Sequence, residues 1–233
     1  MANVIAIILA GGKGTRCSSD IPKQYVYVAG RPVVMWSIEA FRKAIPGVQT
    51  VMVINPETTE IWAELCRKHE FESPKLVPGG ATRWQSVKNA IDAIVAEPDD
   101  IILVHDGARP VIDSATILAV KEMAEKFDGA IPTVPVTDSL RMMTGEESSV
   151  AVERSQYRAV QTPQGFRHSI LSQAYSLPFS PAFTDDASVV EAAGYTELRL
   201  VEGNPKNIKL TFAGDIATVE NSLKNAQWIH LEK

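Results

Sequence analysis

The segment Val4-Ile5-Ala6-Ile7-Ile8-Leu9 constrains the fold more than any other stretch of the chain. A strand with one wet face alternates apolar and polar residues. This run has no polar position and is rich in β-branched side chains, which is the pattern of a strand buried on both faces of a parallel sheet. It is far shorter than the ~20 residues that a membrane-spanning helix needs. It also lacks the charged start and small-residue cleavage site of a signal peptide, so a cytoplasmic protein without a membrane anchor is expected.

The rest of the chain alternates in the same sense. Strands are expected at Thr50 to Ile54, Lys75 to Val77, Ile101 to Val104 and Ala130 to Val134. Helices are expected between them, at about Val33 to Phe41, at Thr59 to His69, after Thr82, and after Asp113 or Ser114. Thr82 with Gln85 fits a capping box. This order predicts an α/β protein with a doubly wound, mostly parallel sheet, of Rossmann-like type. The pattern breaks at about 138–157, where Leu140 to Met143 and Val150 to Val152 flank the polar turn Thr144-Gly145-Glu146. A projecting β-hairpin arm is expected there, and an isolated hairpin needs something to lean on. A turn at Thr162-Pro163-Gln164-Gly165, helices at Ser169 to Tyr175 and Asp186 to Ala193, strands at Leu198 to Val201 and Ile208 to Leu210, and a helix from Gly214 to Trp228 complete the chain. One domain over 1–233, with the arm as its only excursion, is the expected organisation.

Composition narrows the classes of function. The net charge of −5 speaks against a nucleic-acid binder, which would carry a basic excess. Cys17 and Cys66 have no metal-ligand spacing and make no disulfide framework, so reduced thiols are expected.

The first strand runs into Ala10-Gly11-Gly12-Lys13-Gly14-Thr15-Arg16, with Lys23 following in Pro22-Lys23-Gln24-Tyr25. In open α/β sheets, ligands bind beyond the carboxyl ends of the strands. Closely spaced glycines let backbone N–H groups approach phosphate oxygens. The glycines alone could be an ordinary turn; bracketed by Arg16 and Lys23, they suit a triphosphate attacked at its α-phosphate. A Walker A loop is absent, and a dinucleotide fingerprint would need glycine at Cys17 and an acid at Asn55.

Other polar groups fall at matching strand ends. Gly79-Gly80 with Arg83 and Ser86 precede or open a helix, a place for base or ribose recognition. Asp106 ends a buried strand in His105-Asp106-Gly107-Ala108-Arg109-Pro110. It suits a ribose or Mg²⁺ contact, with Arg109 reaching a phosphate, or else a turn cap. His105 reads as hydrogen-bonded structure. Thr184-Asp185-Asp186 suits a ligand contact or a helix cap alone. Lys209 lies inside the apolar stretch Ile208-Lys209-Leu210, where lysine is uncommon unless paired with an anion, and it reads as a phosphate ligand.

Taken in order, the motifs Leu9 to Arg16, Pro22 to Tyr25, Val104 to Pro110, Gln161 to Gln164 and Asn207 to Thr211 resemble the 2-C-methyl-D-erythritol 4-phosphate cytidylyltransferases. The resemblance covers essentially the whole chain and implies a nucleotidyltransferase fold. It implies Mg²⁺-dependent transfer of the cytidylyl group from CTP to methylerythritol phosphate, in non-mevalonate isoprenoid synthesis. Carried over by position, it implies that Arg16 and Lys23 stabilise the transition state. Ala10, Gly11, Gly12, Gly14, Gly80, Arg83, Ser86, Asp106 and Gly107 would serve CTP. Arg109, Ser139, Arg154, Thr162, Thr184 and Lys209 would serve the acceptor, with Arg154 and Lys209 also counted as catalytic. No protein metal site is implied: Mg²⁺ would ride mainly on the CTP phosphates, with Asp106 as a conceivable contact. The resemblance further implies a homodimer through the arm, which would bring Ser139 and Arg154 to the partner's site.

Ala81, Ser139, Glu153, Cys17 and Gly107 depart from the common family residues, and none of these changes removes a cation. The ribitol 5-phosphate cytidylyltransferases share most of the motifs. Thr184 to Ser188 and Val201-Glu202-Gly203 look closer to the methylerythritol branch. A non-catalytic nucleotide-binding regulator is the reading of another class. Arg16, Lys23 and Lys209 together speak against it, since a binder needs no transition-state cations.

Overall fold

The computed structural model describes residues 2–12 and 22–225. In chain order the first half contains β1 (Val4–Ala10), the short hairpin β2 (Tyr27–Val28) and β3 (Arg31–Pro32), α1 (Val33–Ala44), β4 (Gln49–Ile54), α2 (Thr59–Lys68), β5 (Lys75–Pro78), α3 (Arg83–Ala93) and β6 (Ile101–Asp106). The second half contains α4 (Ser114–Lys126), β7 (Gly129–Pro135), β8 (Arg141–Met143), β9 (Ser149–Ala151), β10 (Arg158–Val160), β11 (Gln164–Arg167), α5 (His168–Ala174), α6 (Asp186–Ala192), β12 (Leu198–Glu202) and α7 (Asp215–Lys224).

The central sheet runs β10-β7-β11-β6-β1-β4-β5, with β12 also paired to β7. β5, β4, β1 and β6 are mutually parallel, as is β12 with β7. The expected reading of β1 holds. Val4, Ala6, Ile8 and Ala10 pack into the core on one face of the sheet, and Ile5 and Ile7 into that on the other. α1, α2 and α4 cover the first face with Phe41, Trp62 and Val120; α3, α5 and α6 cover the second with Val87, Leu171 and Val190. Burial on both faces is what makes a run without alternation a stable strand.

Three features differ from the sequence reading. Only the first half of the expected turn at 162–165 is a bend, at Thr162-Pro163, while Gln164 and Gly165 begin β11, which runs antiparallel between β6 and β7. β10, which the sequence did not signal, pairs antiparallel with the end of β7. Conversely, Ile208 to Leu210 is not a strand. Its neighbourhood closes on itself through Asn207 N–H to the Asn204 carbonyl and Ile208 N–H to the Lys206 carbonyl, so those groups cannot join a ladder. Leu210 N–H donates to the Ala108 carbonyl at 2.8 Å, which seats the segment beside the end of β6.

β8 and β9 pair only with each other, and their residues are almost all exposed, Met142 and Met143 among them. No helix among the described residues is long and apolar enough to cross a membrane. The expected helix to Trp228 is described as far as Lys224, and Trp228 itself lies outside the described residues.

Candidate active site

A cavity of about 530 Å³ opens beyond the carboxyl ends of β1, β4, β5 and β6. Its floor is the chain leaving β1: Leu9, Ala10, Gly11 and Gly12. Gln24, buried under this loop, donates from Nε2 to the Ala10 carbonyl at 2.7 Å and to the Gly12 carbonyl at 3.2 Å. This pair of bonds fixes the loop's carbonyls inward, and it places Lys23, the residue before, at the cavity wall. Lys13, Gly14 and Arg16 lie outside the described residues.

The second wall is the β5–α3 connection, Gly79 to Arg83 with Ser86. Gly79 N–H donates to the Ile54 carbonyl at 2.8 Å, and Gly80 N–H to Ser86 Oγ at 3.1 Å. Ser86 Oγ donates in turn to the Thr82 carbonyl at 2.9 Å, so its hydroxyl shapes the loop. A Cβ on Gly80 would come within 2.1 Å of Gln85 Cγ, which explains glycine at this close approach. Thr82 caps α3 by accepting from Gln85 N–H at 3.0 Å. The reciprocal half of the expected capping box does not form, because the Gln85 amide donates to Asn89 one turn on.

Charge concentrates at Asp106, the last residue of β6. Its Oδ2 lies 2.9 Å from Lys209 Nζ and 3.5 Å from Arg109 Nε, while Oδ1 lies 3.8 Å from Arg83 Nε. Burial alone would push this carboxyl up; Lys209, Arg83 and Arg109 outweigh it and hold Asp106 well below the ordinary carboxylate range. Asp106 and Lys209 line the cavity. Lys209 thus has the anionic partner that its apolar surroundings suggested, although its side chain remains 39% exposed.

Arg83 is fixed from behind. Nη1 and Nη2 donate to the two oxygens of Asp186, at 2.9 and 2.6 Å, a bidentate fork. Asp186 is fully buried and also accepts from the Tyr175 hydroxyl at 2.7 Å. Burial and the adjacent Asp186 push the Tyr175 phenol far above its usual range. Sequence reasoning missed this role of Asp186, though the pairing of a carboxylate beside the α6 cap residue Asp185 was a visible signal. Asp185 itself forms a capping box with Ser188, so the cap reading of Thr184-Asp185-Asp186 holds for Asp185. Gln24 was likewise missed.

The remaining expected residues divide into two groups. Gly107, Arg109 and Thr162 lie behind Asp106, outside the cavity lining. Gly107 N–H donates to the Leu9 carbonyl at 3.0 Å, Arg109 Nη1 donates to the Asn207 carbonyl at 2.8 Å, and Thr162 Oγ1 accepts from Asp106 N–H at 3.1 Å. Ser139, Arg154 and Thr184 are exposed and do not line the cavity. Arg154 follows β9 and donates to the Thr137 carbonyl at the root of the hairpin. His105 is buried structure, as expected, and burial pushes its imidazole down to about 4. Among the described residues no group of three or more His, Cys, Asp or Glu could hold a metal ion.

The arrangement can take a polyanion. A glycine floor and a helix N-terminus face Lys23 on one side and the Lys209–Asp106–Arg83 cluster on the other. Comparison with known proteins agrees with this chemistry. The sequence profile of the 2-C-methyl-D-erythritol 4-phosphate cytidylyltransferases matches residues 4–225. A relative of that name from Bacteroides thetaiotaomicron is 46% identical over 211 residues, 90% of this chain and 94% of the relative. A crystal structure of a 4-diphosphocytidyl-2C-methyl-D-erythritol synthase superposes with a TM-score of 0.80 at 31% identity, over 96% of this chain and 99% of that one. The 2-C-methyl-D-erythritol 4-phosphate cytidylyltransferase from Thermus thermophilus superposes with a TM-score of 0.72 at 30% identity, over 94% of this chain and 98% of that one. The chain therefore belongs to the 2-C-methyl-D-erythritol 4-phosphate cytidylyltransferase family.

Proposed function

We propose that the chain transfers the cytidylyl group of CTP to 2-C-methyl-D-erythritol 4-phosphate. The products are 4-diphosphocytidyl-2-C-methyl-D-erythritol and pyrophosphate, a step of non-mevalonate isoprenoid synthesis. The observation that carries this reading is one cavity at the strand ends with a lysine on each side, Lys23 by the glycine floor and Lys209 on Asp106. Two phosphorylated substrates need two cationic ends.

A phosphate oxygen of the acceptor attacks the α-phosphorus in line, and the bond to the β-phosphate oxygen breaks. The electron pair leaves with pyrophosphate. The attacking phosphate is already anionic at neutral pH, so no general base is needed, and the work is positioning and charge stabilisation. Arg16 and Lys23 neutralise charge at the α-phosphate. Ala10, Gly11, Gly12 and Gly14 offer backbone to the triphosphate, and Gly80, Arg83 and Ser86 form the nucleoside side. Arg109, Thr162, Thr184 and Lys209 orient the acceptor.

The chain's residues fit a metal carried on the nucleotide rather than one caged by protein. Among the described residues Asp106 is the one carboxylate of the cavity lining, and three cations surround it. Mg²⁺ bound to the triphosphate would neutralise part of its charge. We read the protein as a cytoplasmic homodimer of single domains joined through the β8–β9 arm. The support is an exposed, methionine-bearing hairpin without sheet partners, which is marginal alone in water. Ser139 and Arg154, one before β8 and one after β9 at the root of the arm, would then complete the partner's site.

The test compares pyrophosphate release from CTP with methylerythritol phosphate, with ribitol phosphate and with no acceptor. The reading expects release with methylerythritol phosphate well above the other two. Release that is equal without acceptor, or higher with ribitol phosphate, would overturn it.

A further inference from the structure

Behind the cavity, four residues from three chain segments close a ring of hydrogen bonds. The Arg109 carbonyl faces His105 Nε2 at 3.1 Å, and His105 Nδ1 faces Thr162 Oγ1 at 3.0 Å. Asn207 Nδ2 donates to the Thr162 carbonyl at 2.9 Å, and Arg109 Nη1 donates to the Asn207 carbonyl at 2.8 Å. Every direction in the ring is determined. A carbonyl can only accept, so Nε2 carries an imidazole proton; burial holds the imidazole well below its usual range and so neutral at pH 7, which leaves Nδ1 to accept and the Thr162 hydroxyl to donate to it. That hydroxyl oxygen is then oriented to accept Asp106 N–H, at 3.1 Å. His105 and Thr162 are 0% and 5% exposed and Asn207 is 0% exposed, so water does not compete for these bonds.

The ring holds three segments that each carry an acceptor-side group: Arg109, Thr162, and Lys209 two residues past Asn207. It also fixes the backbone of Asp106, the counterion of Lys209. We propose that His105 is a positioning residue for the acceptor phosphate, closing this ring so that Arg109, Thr162 and Lys209 keep one relative geometry. The proposal rests on the cytidylyl-transfer reading above.

His105→Gln keeps a donor near Nε2 and loses the acceptor at Nδ1; His105→Asn keeps an acceptor near Nδ1 and loses the donor. Affinities for methylerythritol phosphate and for CTP, measured by calorimetry on the full-length purified enzyme, read the effect without turnover. Either variant should weaken methylerythritol phosphate by roughly tenfold, the scale of one buried hydrogen bond, and CTP by no more than about twofold. In a Thr162→Val background, His105→Gln should cause no further loss, since it acts through that hydroxyl. Equal weakening of both ligands, no weakening of either, or an additive loss in the double variant would overturn the proposal. If neither variant folds, the imidazole nitrogens of the unaltered protein decide, by ¹⁵N NMR at neutral pH. A neutral ring protonated at Nε2 supports the ring, and the Nδ1–H tautomer or a charged imidazole refutes it. Unaltered enzyme that binds no methylerythritol phosphate would sink the functional reading instead, leaving the same NMR test for the ring.

Discussion

Lys209 Nζ lies 2.9 Å from Asp106 Oδ2, although the two residues are far apart in the chain and neither belongs to the other's element. Asp106 ends β6, and the Leu210 N–H bond to the Ala108 carbonyl brings the Lys209 segment alongside. One carboxylate thereby faces three cations, Lys209 at close range and Arg109 and Arg83, which Asn207 and Asp186 hold from behind, at 3.5 and 3.8 Å. The cluster tolerates an additional anion because positive charge exceeds the local negative charge.

Replacing Asp106 with Asn should leave those three cations without their shared counterion. Removing one partner from a buried ion pair costs ~3–5 kcal/mol, and the low end applies here because Lys209 is partly exposed. A urea melt of Asp106→Asn should show a lower midpoint with an unchanged slope. A midpoint equal to that of the unaltered protein would mean that the cations are screened by water.

The Arg83–Asp186 fork ties α3 to the start of α6 across 103 residues of sequence. Tyr175→Phe removes one hydrogen bond to the buried Asp186 and should cost ~1.5–3 kcal/mol. Asp186→Asn breaks the charge pair, and it should lower stability further while raising the KM for CTP, since Arg83 borders the cavity. Chemical denaturation and steady-state kinetics check both variants. A Tyr175→Phe protein more damaged than Asp186→Asn would contradict this ordering.

Stability should fall on mild acidification because of His105. Burial holds its imidazole at about 4, against 6.5 when unfolded, with the Asp106 charge and the hydrogen bond to the Arg109 carbonyl raising it and the Arg109 charge lowering it in smaller measure. Between those values the unfolded chain binds more protons than the folded one. The contribution is fully present above about pH 6.5 and is lost as pH falls toward 4. From about pH 7.5 to about pH 5 the loss amounts to ~2 kcal/mol. Denaturation at the two pH values measures it, and His105→Gln should flatten the difference.

Lys23→Ala should lower turnover by ~10²–10³-fold while weakening CTP binding much less, as expected for a cation that acts in the transition state. Steady-state kcat set against CTP affinity separates the two. Equal losses would assign Lys23 to uniform ground-state binding.

Much of this site was legible in sequence because the strand ends announce themselves. β1 could be recognised since burial on both faces leaves no alternation, and its end locates the glycine floor. Lys209 was legible because a lysine among apolar residues needs an anion. What escaped depends on partners distant in sequence. β11 is four residues, Gln164-Gly165-Phe166-Arg167, next to a proline, and becomes a strand only between β6 and β7. Ile208-Lys209-Leu210 looks like a strand, yet the turn at 204–208 takes its hydrogen bonds. Asp186 hid behind Asp185, whose capping role accounts for the local sequence by itself. The closed ring through His105 requires three segments to meet, and no local pattern encodes that.

The most direct measurement is ³¹P NMR of CTP and methylerythritol phosphate mixed with the enzyme and Mg²⁺. The account predicts that a diphosphate diester and free pyrophosphate appear in equal amounts as CTP and the acceptor phosphate disappear together. Formation of CDP or CMP without a diester, or loss of CTP while the acceptor phosphate persists, would contradict it.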